Sequence, residues 1–112
     1  MSHMSEVFVF GQDRPVVEIQ PGVFRKTLSY SDSLMVCEIH LVKGAVVPPH
    51  QHVHEQSSYV ISGKLIYTVD GEGRLLEAGN AVMLASNVLH SAEAVEDTLL
   101  IDVFSPLREE YL

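Results

Sequence analysis

Apolar and polar side chains alternate along most of this chain, in short runs that end at turn residues. The clearest run is Leu34–Val42, in which Met35, Cys37, Ile39 and Leu41 take every second position. Alternation with a period of two is typical of a strand that buries one face. Further strands are predicted at Val23–Ser29, Ser58–Ile61, Lys64–Val69, Arg74–Glu77, Ala81–Leu84, Ser91–Glu96 and Thr98–Phe104.

Turn residues separate these runs. Asp70-Gly71-Glu72-Gly73 is a strong hairpin signal after Lys64–Val69. The apolar run Val7–Phe10 ends at Gly11 and is read as a further β-like segment, whereas Pro106–Leu112 is the one candidate for a helix. Many short strands without alternating helices indicate an all-β sandwich or barrel in a single domain.

Length and composition support that interpretation. A chain of 112 residues with 46 % hydrophobic residues fits one soluble domain with one core. No apolar run approaches the roughly 20 residues of a membrane span, and no export leader is visible at the start. Cys37 is the single cysteine, so an internal disulfide is excluded, and we expect a buried, inert thiol. We therefore expect a cytoplasmic protein.

The charge balance narrows the range of partners. The formal net charge is −8, with only seven Lys and Arg residues scattered along the chain, so nucleic acid is an unsuitable partner. An anionic ligand would have to be held by a local cation, such as a metal ion or one well-placed arginine. The opening Met1-Ser2-His3-Met4 contains two methionines and is interpreted as a cloning remnant, which leaves residues 5–112 as the domain.

Histidines form the most distinctive chemical feature. His50, His52 and His54 alternate, and His90 follows 36 positions after His54. Imidazole is the commonest metal-ligand side chain, and residues two apart on a strand point to one face. If residues 50–54 form a strand, two histidines reach one point and the distant His90 closes a metal site. The alternative is a set of polar side chains lining a barrel without a metal.

The spacing around these histidines resembles the cupin superfamily, whose two motifs read G-x5-H-x-H-x3-E-x6-G and G-x5-P-x-G-x2-H-x3-N. Gly44, His50, His52, Gln56 and Gly63 keep the register of the first motif. In the second motif Gly79 and His90 are kept, while Ala85, Asn87 and Ala94 replace the proline, glycine and asparagine. Asn87 is an easy replacement, because asparagine tolerates left-handed backbone better than most residues. The resemblance implies a double-stranded β-helix, the cupin jelly-roll barrel, with a metal in its mouth.

The implied ligands are His50, His52, Gln56 and His90, around one divalent metal ion. Zinc or nickel is favoured, with iron or manganese as alternatives. Gln56 stands where the family has glutamate, and a neutral amide leaves the ion its whole +2 charge. Glu55 is the competing fourth ligand, but on a strand it would point away from the histidines. His54 is expected behind the ligands or in the pocket wall, and His40 at the surface or satisfied in the core.

The last segment, Leu100–Leu112, resembles that of the small pectin-degradation cupins that linearise 4,5-unsaturated uronates. This likeness implies functional roles for Asp102, Phe104 and Arg108, and a small anionic sugar as substrate. Strand parity allows Asp102 and Phe104 to face the interior, while Ile101 and Val103 pack outward. Without the likeness, Asp102 reads as a surface strand residue and Arg108 as a solvated partner of the neighbouring glutamates.

Two other classes of function remain open at this point. Histidine-rich cupins also support O2 chemistry, which makes an iron-dependent dioxygenase the runner-up. A non-catalytic cupin that binds a small acid is the second alternative, because a fold does not choose a function. Exposed strand edges and the apolar run Val7–Phe10 favour a homodimer built by strand addition.

Overall fold

A computed structural model describes residues 2–112 of the chain. These residues form ten strands in two antiparallel sheets. The strands are β1 (Val17–Gln20), β2 (Val23–Tyr30), β3 (Met35–Leu41), β4 (Val46–His50), β5 (Glu55–Ser62), β6 (Lys64–Val69), β7 (Glu72–Glu77), β8 (Ala81–Leu84), β9 (His90–Ala94) and β10 (Thr98–Ser105).

The two sheets enclose one apolar core, as the all-β prediction requires. The larger sheet has the order β1-β2-β3-β10-β5-β8, and the smaller has the order β4-β9-β6-β7. Alternate side chains point inward from each strand, because successive residues of a strand face opposite sides. The largest completely buried apolar side chains are Phe104, Met35, Leu41, Leu65 and Leu84. The β-barrel fold and the single compact domain are therefore confirmed.

Strand β10, in the middle of the larger sheet, shows which residues point into the interior. In β10 the buried residues are Thr98, Leu100, Asp102 and Phe104, whereas the residues between them are half-buried. Asp102 pairs with Cys37 of β3 on one side and with Ser58 of β5 on the other. The predicted inward direction of Asp102 and Phe104 is thus confirmed, and three neighbouring strands present their inner rows to one space.

The hairpin predicted at Asp70 is also confirmed. β6 and β7 are joined by Asp70 and Gly71, with φ angles of 49° and 87°. Positive φ at both central positions is the type I′ arrangement, whose twist matches that of the paired strands. The turn residues therefore fix the register from Val69↔Glu72 to Lys64↔Glu77.

The amino-terminal prediction was wrong. Within residues 2–112, Val7–Phe10 forms no strand, and Val7 is 89 % exposed. An apolar run becomes a strand only when a neighbouring edge accepts its backbone hydrogen bonds. The residues just before it pair instead with the end of β2, through the bridge Met4↔Ser31 and the hydrogen bond from the Ser5 N–H to the carbonyl of Tyr30 at 2.9 Å. The homodimer stays a prediction, but this run does not offer it a ready strand edge.

The histidine strand was also predicted incorrectly. β4 includes Pro48 and Pro49 and ends at His50, so His52 lies in the loop before β5. Prolines are tolerated there because β4 is an edge strand, which needs hydrogen bonds on one side only. Its register with β9 shifts between Val47 and His50. The alternation of the histidines therefore does not reflect one continuous strand.

Helical structure in residues 2–112 consists of two short 3₁₀ turns, Gly11–Asp13 and Glu109–Tyr111. The helix predicted over Pro106–Leu112 is thus reduced to three residues, since this segment is held by tertiary contacts rather than by a helical face. No helix in the described part of the chain has the length and apolar character of a membrane span.

Two glycines with similar backbone angles allow a stability test. Gly63 has a φ of +91° and Gly44 has a φ of +85°. A Cβ atom added to Gly63 would overlap the backbone of Asp97 and Thr98. A Cβ atom added to Gly44 would meet no other atom within 4 Å. Gly44→Ala should lower the free energy of unfolding by about 1 kcal/mol, the cost of left-handed backbone. Gly63→Ala should lower it by about 3 kcal/mol, because overpacking adds to that cost. Urea denaturation measures both, and equal losses would contradict this account of Gly63.

Candidate metal centre

Three histidines converge at one end of the barrel. His50 and His90 face each other across the β4–β9 pair, and their ring centroids are 4.2 Å apart. His52 approaches from the loop, with its ring centroid 5.0 Å from that of His90. One ligand nitrogen from each ring lies within 4.8 Å of the others. The predicted convergence of these histidines is confirmed, although His52 reaches the site from a loop.

Each of the three rings is oriented by a backbone carbonyl. Because a carbonyl oxygen only accepts hydrogen bonds, each Nδ1 must carry the proton, which leaves the lone pair on Nε2. This arrangement fixes the tautomer of metal-binding histidines and directs Nε2 at the ion. The donor–acceptor distances are 2.9 Å from His50 to Pro48, 3.0 Å from His52 to His54, and 2.9 Å from His90 to Val88.

In residues 2–112, the Nε2 atoms of His52 and His90 have no hydrogen-bond donor beside them. Nε2 of His90 is buried and has no hydrogen-bond partner among residues 2–112. Nε2 of His52 lies 3.0 Å from Oε1 of Gln56, so two acceptor atoms face each other. Burial, with the charge of Arg108, lowers the pKa of His52 to about 4, which disfavours a bridging proton. Burial likewise lowers the pKa of His90. A divalent cation is the partner that this donor set fits.

The amide of Gln56 is oriented by neighbours from both sheets, since Ser58 and Asp102 belong to the larger sheet and Tyr67 to the smaller one. Its Nε2 donates to Oγ of Ser58 at 3.0 Å and to Oδ2 of Asp102 at 3.2 Å, and it lies 3.4 Å from the hydroxyl of Tyr67. The amide oxygen therefore faces His52. A glutamate here would set a second carboxylate against Oδ2 of Asp102, which the amide of Gln56 avoids. The competing ligand Glu55 is exposed on the other face of β5.

Asp102 is a buried carboxyl beside the histidines. Oγ of Ser58 donates to its Oδ1 at 2.6 Å. Burial raises the pKa of Asp102 to about 6, although the hydrogen bond from Ser58, the charge of Arg108 and the hydrogen bond from Gln56 oppose the rise. The surface interpretation of Asp102 is thus wrong. An acidic group with both of its forms accessible near neutral pH suits proton transfer.

Arg108 covers the same space from the carboxy-terminal segment. Its guanidinium carbon lies 5.3 Å from the ring centroid of Phe104 and 4.2 Å from that of Tyr111. Nε donates to Oε1 of Glu110 at 3.3 Å, and the side chain is only 12 % exposed. Arg108 is therefore not a solvated surface residue, although it does pair with Glu110. Phe104 is fully buried beneath it and also contacts the ring of His52 edge-on.

One cavity is lined by most of these groups, although His52 and Ser58 are not part of its lining. Ionisable and polar side chains form half of its lining, and apolar side chains from both sheets form the other half. The polar residues are His50, Gln56, Tyr67, His90, Ser91, Asp102, Arg108 and Tyr111, and the apolar residues are Ile19, Val23, Ile39, Leu41, Val47, Ala92, Leu100 and Phe104.

Several residues of the site were not foreseen, among them Ser58, Tyr67 and Tyr111. Ser58 lies two positions after Gln56 on β5, and Tyr67 lies two positions after Leu65 on β6. Because residues two apart on a strand face the same side, the alternation could have indicated both. Tyr67 also stacks on His90, with 6.3 Å between ring centroids and 17° between planes. Tyr111 lies in an irregular segment, where no periodicity indicates which side chains are buried.

The remaining predicted residues lie outside the ligand set. The His54 ring lies 5.4 Å from that of His52 and belongs neither to the histidine cluster nor to the cavity lining. His40 is exposed on the outer face of β3. Cys37 is completely buried, and burial raises the pKa of its thiol to about 11, in keeping with an inert thiol. Asn87 has a φ of 64°, the left-handed backbone expected at the glycine position.

Comparison with known proteins places this fold and site. The cupin domain family matches residues 37–104, and the chain belongs to the cupin family. It is similar to the pectin degradation protein KdgF of Dickeya dadantii (strain 3937), with 36 % identity over 107 residues, which cover 94 % of this chain and 97 % of that protein. The chain is thus a small single-domain cupin with a relative in pectin degradation.

Two solved structures extend the likeness to three dimensions. KdgF from Halomonas sp. is 34 % identical, with a TM-score of 0.90 over 96 % of this chain and 100 % of that one. An RmlC-like cupin from Shewanella frigidimarina NCIMB 400 is 37 % identical, with a TM-score of 0.93 over 97 % and 98 %. The predicted cupin jelly roll is confirmed over almost the whole chain.

Proposed function

We propose that this protein opens the ring of 4,5-unsaturated uronate monosaccharides and yields the linear 5-keto-4-deoxyuronate. The observation that carries the proposal is a buried carboxyl, Asp102, which is hydrogen-bonded to Gln56 and shares one cavity with Arg108 and with His50 and His90, two of the three convergent histidines. Similarity to a pectin degradation protein supports the substrate class, because enzymatic cleavage of pectin by elimination leaves unsaturated uronates.

The reaction needs one proton to move and no redox change. The bond between C1 and the ring oxygen breaks, and the anomeric hydroxyl loses its proton as C1 becomes an aldehyde. The ring oxygen stays on C5 and becomes a ketone, and the C4=C5 double bond is lost as C4 takes up the proton. The substrate and product are therefore isomers.

Asp102 is the residue that carries this proton. Its carboxylate takes the proton of the anomeric hydroxyl, and the carboxyl then returns it to C4. Ser58 and Gln56 hold the two carboxylate oxygens by hydrogen bonds, which fixes the side chain. Burial away from water prevents exchange of the proton with solvent between the two steps.

Arg108 binds the uronate carboxylate. A guanidinium group grips a carboxylate through two parallel hydrogen bonds, and its planar face remains free to stack on Phe104 and Tyr111. Because the chain has a formal charge of −8, an anionic sugar has to be held by local cations, and Arg108 is one of them. Phe104 contributes an apolar wall that excludes water from the sugar.

A divalent ion would be held by Nε2 of His50, His52 and His90 and by Oε1 of Gln56, with zinc or nickel favoured over iron or manganese. When bound, it supplies Lewis-acid polarisation of substrate oxygens, which favours charge build-up on oxygen during ring opening. The neutral ligands would leave the positive charge of such an ion undiminished, which would increase this polarisation.

The proposal is tested with a panel of unsaturated uronate monosaccharides. The metal-loaded protein should accelerate the loss of the ultraviolet absorbance of the C4=C5 bond, and NMR should identify the linear ketone. No acceleration with any member of the panel would contradict the proposal. Oxygen uptake in the presence of iron(II) would instead indicate the dioxygenase alternative, and binding without turnover would indicate a small-acid-binding cupin.

A further inference from the structure

The carboxy-terminal segment folds back across the barrel and brings Tyr111 between two arginines. The guanidinium carbon of Arg25 lies 4.4 Å from the centroid of the Tyr111 ring, and that of Arg108 lies 4.2 Å from it. Both distances are within the range of attraction between a guanidinium group and an aromatic face. One ring therefore links an arginine of β2 to the arginine that covers the cavity.

Three further contacts fix the segment that carries Tyr111. Oγ1 of Thr27 donates to the Tyr111 carbonyl at 2.6 Å. The ring meets Phe104 edge-on, with 5.7 Å between centroids and 79° between planes. Leu107 is buried, and its backbone N–H donates to the carbonyl of Asp32 at 3.2 Å. Tyr111 is thus held by β2 on one side and by β10 on the other.

Arg25 lacks the partner that a buried arginine usually has. It is 9 % exposed, its Nε has no hydrogen-bond partner, and no carboxylate lies within 4 Å of it among residues 2–112. Burying a charge without a paired anion costs free energy. The contact between Arg25 and the Tyr111 ring offsets part of that cost. Contact with the π face stabilises Arg25 and holds the ring in place.

We propose that Tyr111 is a positioning residue that holds Arg108 over the cavity, with Arg25 as the anchor of its ring. This inference rests on the proposed role of Arg108 in binding the uronate carboxylate. The ring, rather than the hydroxyl, carries the effect, because both arginines approach the ring. Tyr111→Phe therefore keeps the function, and Tyr111→Leu loses it.

Kinetics separate positioning from general damage. In Tyr111→Leu, KM for the unsaturated uronate should rise about tenfold, the loss of one to two cation–π contacts, while kcat changes less than about twofold. Metal content should stay at the wild-type level. Tyr111→Phe should restore the wild-type KM, and Tyr59→Leu, which removes an exposed ring from the outer face of β5, is the matched control. A fall in kcat at unchanged KM, or no change in KM, would overturn the inference.

A second measurement does not depend on turnover. The Nε–H of Arg108, assigned by its loss in Arg108→Lys, should give a distinct ¹⁵N NMR signal in the wild type and in Tyr111→Phe. It should merge with the signals of solvent-exposed arginines in Tyr111→Leu. If the Arg108 signal merges in Tyr111→Leu but the wild-type protein fails to open unsaturated uronates, the positioning role stands and the proposed function does not. An unchanged Arg108 signal in a folded Tyr111→Leu protein overturns the positioning role, whatever the activity.

Discussion

Asp102→Ala is expected to lower the rate of ring opening by about a thousandfold, within the usual range for removal of a general acid or base. The physical reason is that Asp102 is the buried carboxyl that shares the cavity with His50, His90 and Arg108. Metal content should remain at the wild-type level, because the amide of Gln56 keeps Ser58 and Tyr67 as partners. The measurements are the decay of C4=C5 absorbance and elemental analysis of the same sample.

Asp102→Asn is the sharper companion variant. It keeps the shape of the side chain and an oxygen that accepts from Ser58, but it cannot carry a proton, so activity should again be lost. Asp13→Ala removes an exposed carboxylate and serves as the control, with activity unchanged. Substantial ring opening by Asp102→Ala with its metal retained would remove Asp102 from the mechanism.

His90→Ala should abolish both metal retention and ring opening. His90 is 3 % exposed, and its unpartnered Nε2 points to the space shared with His50 and His52. Loss of groups that merely support ligands weakens metal affinity by 10- to 100-fold, so the loss of a ligand should weaken it by more than about 100-fold. Competition with a chromogenic chelator measures the affinity.

His40→Ala is the matched control for this variant, because His40 is exposed on the outer face of β3. Its metal affinity and activity should equal those of the wild type. If His90→Ala and His40→Ala bound the ion equally well, His90 would have no place among the ligands. Circular dichroism of the two variants establishes that both retain the β fold.

The side chains that point into the barrel could be predicted where buried and exposed positions alternate regularly along a strand. The positions of Gln56, Asp102 and Phe104 follow from parity, because a strand that buries one face places every second residue inside. The hairpin at Asp70 followed from turn chemistry, since a two-residue loop needs residues that accept positive φ. The meeting of His90 with His50 and His52 was predicted from the spacing of the two cupin motifs, because no local pattern connects residues so far apart in sequence.

The parts that sequence did not predict depend on tertiary contacts. β4 contains two prolines, which normally interrupt a strand, and it persists because it lies at a sheet edge. Val7–Phe10 is apolar enough for a strand but has no strand partner in residues 2–112. Tyr111 and Arg25 are 86 positions apart, and only the return of the carboxy-terminal segment brings them together.

A zinc titration of the metal-free protein, followed through the ¹⁵N resonances of its histidine rings, tests whether the converging imidazoles form one metal site. One equivalent of zinc should shift Nε2 of His50, His52 and His90 together, leave His40 unchanged, and saturate at one ion per chain. Elemental analysis should then find that ion after gel filtration. No shift in these three rings at any zinc concentration, or shifts in His40 alone, would contradict the account.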